Sequence, residues 1–128
     1  MATVTLAVTD ATRGGVALAY TASGASPLLN TSDTFVFANT GREAVIFQKS
    51  GANPCTVTFD TPGTVDGLAV AQRTGSVVAG TGDAIATTTV MVFGPFPPNI
   101  YNAPGSATLS GFTLSEITGL SCRIVRIA

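Results

Sequence analysis

Asp60 and Asp66, with Arg73 close behind them, are the residues of this chain whose types and spacing could do chemistry. Two carboxylates can act as general acid and base, or offer hard oxygen ligands to calcium. The same residues also cap turns, and a nearby arginine can tie such a loop down by a bidentate bond. No supporting constellation accompanies this pair, so the loop role is the expected one. Histidine is absent from the chain. That removes Ser–His and Cys–His nucleophile pairs, histidine-ligated zinc and the commonest general base. The two cysteines, Cys55 and Cys122, stand alone in their neighbourhoods and cannot form a thiolate zinc site. They read as small buried hydrophobes, and a bridge between them requires side-by-side strands. Gly80-Thr81-Gly82 lacks the third glycine of a dinucleotide fingerprint, and no phosphate-loop pattern occurs. The chain is therefore expected to be no enzyme and to hold no metal or cofactor.

Two aromatic residues offer a different chemistry. Phe96 and Tyr101 flank a proline loop and could stack on a sugar if exposed, though such residues are more often a rigid protein contact or part of the core. Asn30-Thr31-Ser32 matches a glycosylation acceptor, a pattern short enough to arise by chance.

The elements that position these residues are strands. With 128 residues the chain is expected to form one domain. A chain of that size buries roughly two-thirds of its unfolded surface and needs no staples. Only 10% of its residues are charged while 45% are hydrophobic, well under the usual quarter of charged residues. Such a surface tends to meet another protein. The six basic residues are scattered and the net charge is −1, so no footprint for nucleic acid is visible. No apolar run approaches the roughly 20 residues of a membrane helix, and Met1 to Thr5 do not read as a signal peptide. A soluble protein made in the cytoplasm is expected.

Val4, Leu6 and Val8 alternate with small polar residues, the period of a half-buried strand. Beyond Arg13-Gly14-Gly15 apolar density falls, and residues 1–30 read as an extended N-terminal arm on a β domain spanning 31–128. Phe35-Val36-Phe37 and Val45-Ile46-Phe47 are apolar on consecutive positions around an Asn39–Gly41 turn. Such strands are either central in a sandwich or covered by a partner. Cys55, Val57 and Phe59 alternate with threonines and should point inward. Residues 61–67 read as a loop, and 68–73 as loop and short strand. Gly80 to Asp83 reads as a tight turn and 87–93 as a strand. Pro95, Pro97 and Pro98 imply a rigid extended loop. Strands at 107–114 and 121–127 complete an all-β sandwich or barrel of jelly-roll type.

Three stretches together resemble a known family. They are Thr12-Arg13-Gly14-Gly15-Val16 with Tyr20-Thr21-Ala22; Phe37 to Glu43 leading into Thr56-Val57-Thr58; and Thr64 to Thr74 with Gly94-Pro95-Phe96-Pro97 and Tyr101-Asn102. In these the chain is similar to the decoration or cement proteins of tailed-bacteriophage heads. The longer 75–89 segment and the end of the chain depart from that pattern. The resemblance implies a compact β domain bound as a trimer to the outside of an assembled capsid, stabilising it by bridging major capsid subunits. Candidate contact residues are Val4, Leu6, Val8 and Arg13 of the arm, with Phe96 and Tyr101 at the proline loop. Alternatives are another virion component, such as a head–tail joining or tail protein, and a carbohydrate-binding module.

Overall fold

Period-two runs become strands, and the turns between them decide which sheet each strand joins. The computed structural model describes residues 2–18, 20–22, 29–50, 54–77, 88–117 and 119–127. In chain order the elements are β1 (Thr3–Thr5), β2 (Thr9–Asp10), β3 (Tyr20–Ala22), β4 (Thr34–Val36), β5 (Glu43–Ser50), β6 (Cys55–Phe59), β7 (Thr64–Val65), β8 (Leu68–Ala69), β9 (Arg73–Val77), β10 (Thr88–Phe93), α1 (Pro98–Tyr101), β11 (Phe112–Leu114) and β12 (Leu120–Arg126). One sheet runs β1-β4-β11-β6-β9 and the other β10-β5-β12-β2, with β3 also on β12. The two sheets pack face to face as a sandwich, and no sheet closes into a barrel. The Gly80–Asp83 turn lies outside the described residues.

Aromatic side chains from both sheets fill the space between them. Cys55, Val57 and Phe59 all point inward and are buried, as their alternation with threonine requires. Phe112 of β11 lies 5.4 Å from Phe59, 5.5 Å from Phe35 and 5.8 Å from Phe47, ring centroid to centroid. Its contact with Phe47 crosses between sheets at 89°, the edge-to-face geometry that ring quadrupoles favour. Phe35 and Phe47 are therefore buried within one chain and need no partner to cover them. Ile46, between Val45 and Phe47, stays half-exposed on the outer face.

The turn at Asn39–Gly41 does not close a hairpin. It carries the chain from β4 in one sheet to β5 in the other. Both flanking runs have inward faces, so placing them in opposing sheets buries both. Residues 64–67, read as loop, and 68–69, read as loop and short strand, form a two-residue hairpin, β7–β8, with Asp66-Gly67 at its turn. Both turn residues have positive φ, 51° and 77°, as a mirror-image hairpin turn requires. The proline loop includes one helical turn, α1, which starts at Pro98, where the missing N–H costs nothing.

The described strands of the 1–30 segment are built into the sandwich rather than extending from it. β1 pairs in parallel with β4, and β2 and β3 both lie along β12. Leu6 is 4% exposed and sits in the core, while Val4 and Val8 pack against it half-buried. The Leu6 amide donates to the Val36 carbonyl at 2.8 Å, so the backbone between β1 and β2 is also bonded to the body.

Candidate interface

Asp60 and Asp66 are used structurally, in separate loops. The Asp60 carboxylate accepts a hydrogen bond from Ser110 Oγ at 2.7 Å, and its amide donates to the Gly111 carbonyl at 2.9 Å. These bonds fasten the end of β6 to the strand leading into β11. Asp66 is exposed at the β7–β8 turn, and Arg73 is exposed at the start of β9. Among the described residues, no group of three or more Cys, Asp or Glu side chains could hold a metal ion. Cys55 and Cys122 are free and buried in opposite sheets. Burial pushes the Cys122 thiol up to about 12, which the nearby Arg123 charge only partly offsets.

The proline loop presents no aromatic platform. Phe96 is 4% exposed and turns inward, its ring 4.8 Å from Phe59 and 5.9 Å from Phe37. Tyr101 is half-buried and meets Phe96 edge-on at 5.3 Å. Phe96 and Leu6 thus leave the set of contact candidates for the same reason, that the core takes them. Gly94 lets the loop close in, since a Cβ there would stand 2.8 Å from the Glu43 carbonyl oxygen. Of the remaining candidates, Arg13 is exposed in the turn closed by Thr12 Oγ1 on the Gly15 carbonyl at 2.8 Å. Asn30 spends its side chain on a local turn, accepting from the Ser32 and Asp33 amides and donating to the Asp33 carboxylate at 2.7 Å.

Two polar assemblies that sequence reading missed hold the loop end. Asn39 Nδ2 donates to the Phe96 carbonyl at 2.9 Å and to Asn102 Oδ1 at 2.7 Å, and Asn102 Nδ2 returns a bond to the Asn39 carbonyl at 3.1 Å. Both amides are buried and 63 positions apart, so their local sequences read only as turns. Glu43, fully buried, accepts from the Thr40 and Arg42 amides and pairs with Arg126, which also reaches Asp10. Burial pushes the Glu43 carboxyl up, but Arg126 and the donors at Thr40 and Arg42 outweigh it, and the net direction is down. Beside the amide pair lies an open cleft of about 590 Å³, lined by Pro62, Asn99, Asn102 and Pro104 among others and carrying no charged side chain.

The surface is distinguished by exposed apolar groups on regular β elements. On β10, Val90 is 60% and Val92 63% exposed, while Met91 and Phe93 between and beside them pack on the core. β10 edges its sheet, pairing only with β5 among the described strands, and contains no charge, proline or glycine. Such an edge lacks the devices that usually discourage strand addition. Ile46, opposite Val92, and the Gln48–Arg123 pair continue this face inward. At the β7–β8 hairpin Val65 is 55% and Leu68 72% exposed.

Compared with protein-family models, curated proteins and solved structures, the chain matches none.

Proposed function

We propose that the chain is a structural virion protein that binds the exterior of an assembled phage capsid and stabilises it by bridging major capsid subunits. The observation that carries this reading is the uncharged, valine-bearing edge of β10, continuous with the outer face at Ile46. Asp60 fastens a loop through Ser110, and Asp66 stands at the β7–β8 turn. An edge strand of this kind recruits a partner through backbone hydrogen bonds, with alternate side chains giving specificity. Binding to the assembled shell and not to separated subunits would lower the free energy of the shell by mass action. Three copies around a local symmetry axis would place one such edge against each neighbouring subunit, in keeping with the trimer that the resemblance implies. The carbohydrate-binding alternative loses its main support with Phe96 in the core.

The test compares wild type with the double variant Val90→Lys/Val92→Lys for binding to undecorated shells, with melting curves alongside. The charged edge should keep stability within about 0.5 kcal/mol of wild type and lose shell binding. Undiminished binding by the variant, or absence of the chain from purified particles imaged by electron microscopy, would count against the proposal.

A further inference from the structure

We propose that Asp66–Gly67 is a self-modification site, at which the folded protein converts Asp66 to isoaspartate and thereby unmakes the β7–β8 hairpin. Asp66 is the one aspartate or asparagine in the chain that is followed by glycine. With no Cβ on Gly67, the amide nitrogen after Asp66 is unshielded, and open space surrounds the position. That amide donates no hydrogen bond among the described residues. Five of the corresponding nucleophiles elsewhere are tied, and those after Asn30 and Asp60, Thr31 and Thr61, carry the Cβ that Gly67 lacks. After Asp10 the Ala11 amide donates to Arg126, after Asp33 the Thr34 amide to Ala2, after Asn99 the Ile100 amide to Pro97, and after Asn102 the Ala103 amide to Thr108. The Thr40 amide, after Asn39, donates to Glu43.

The hairpin also permits the motion that the reaction needs. Asp66 has φ 51°, a left-handed conformation that residues with a Cβ hold reluctantly. β7 and β8 pair only with each other among the described strands, through two residue pairs. So short a ribbon is marginal by itself, and its turn opens readily. Once open, the Gly67 nitrogen attacks Asp66 Cγ. The nitrogen loses its proton, the carboxyl oxygen leaves as water, and a five-membered imide forms. Water then adds to either imide carbonyl, returning aspartate or giving isoaspartate, with no redox change and no co-reactant but water. Isoaspartate inserts an extra backbone carbon into the turn, and the Val65–Leu68 and Thr64–Ala69 pairs lose their register. The chemistry does not depend on what the hairpin touches.

The experiment incubates the full chain in heavy-oxygen water and follows its tryptic peptide 50–73 by mass and retention. Methyl acceptance from an isoaspartyl methyltransferase is measured in parallel. The expected result is a heavy-oxygen-labelled twin with shifted retention, formed in the folded protein within about tenfold of its rate in the isolated peptide, as near-zero opening free energy implies. Asp66→Glu, which keeps the charge but cannot close the five-membered ring, should abolish it. Amide resonances of Thr64 and Ala69 should move in the modified protein while those of the core do not. Protection much beyond tenfold in the folded chain, labelling that persists in Asp66→Glu, or unmoved hairpin resonances would each overturn the proposal.

Discussion

Leu6→Ala asks whether the N-terminal segment belongs to the core, and the two answers differ severalfold in magnitude. The side chain lies in the core cluster, and it stands between β1 and β2, which pair with opposite sheets. Truncation to alanine removes three carbons from an apolar site, about 2.4 kcal/mol at roughly 0.8 kcal/mol per buried carbon. A residual cavity adds about 24 cal/mol per Å³, and an edge position can partly collapse, so this contribution stays near 1 kcal/mol or below. The expected loss is about 2–3.5 kcal/mol, a large part of the roughly 5–15 kcal/mol that holds a domain together. If residues 1–30 merely lay on the surface, the loss would fall within about 0.5 kcal/mol, as for other surface changes. Val16→Ala is the internal control, because Val16 belongs to the same segment and is exposed. Urea denaturation followed by circular dichroism reads both variants, with the m-value unchanged if only stability moved. Leu6→Ala indistinguishable from Val16→Ala would refute the integration of the segment.

Phe59→Ala should cost about 3–5 kcal/mol, since its ring touches Phe93, Phe96 and Phe112; a near-neutral melting change would place that face outside. Cys122 should resist alkylation in the native protein at neutral pH, because burial holds its thiol up at about 12, and should react once denaturant exposes it. Glu43→Gln should destabilise by roughly 1.5–3 kcal/mol, the value of hydrogen bonds to a charged group, with Arg126 left beside a neutral amide. The folded pKa of Glu43 lies below its ordinary 4.5, so its contribution is fully present above that value and is lost as pH falls through the folded pKa. Wild-type stability should thus fall below pH 4.5, and the difference between wild type and Glu43→Gln should shrink with it.

Local alternation was enough to place the strands that line the core. Cys55, Val57 and Phe59 face inward because a side-chain period of two leaves no other arrangement for three apolar residues between threonines. The all-β class follows from the same periodicity. The Asp66-Gly67 hairpin reads as loop up to Gly67, although Asp-Gly between apolar residues is a turn signal, because its two-residue strands are too short to stand out as a period. What no local pattern contains is the partner of each element. Whether the Asn39 turn closes a hairpin or crosses between sheets depends on which strands lie beside β4 and β5, and those are β11 and β12, far along the chain. Val4, Leu6 and Val8 carry the same alternation on a free arm or on a bound strand, and only pairing with β4 and β12 puts Leu6 inside. The sequence leaves Phe96 open between an exposed contact and the core, and the structure puts it in the core, where Phe37 and Phe59 from two other segments and Tyr101 of the same loop close over it. The buried Asn39–Asn102 and Glu43–Arg126 pairs join residues 63 and 83 positions apart. Sequence determines which face a side chain takes along its own strand; tertiary structure alone decides what stands opposite, because burial is a property of the pair.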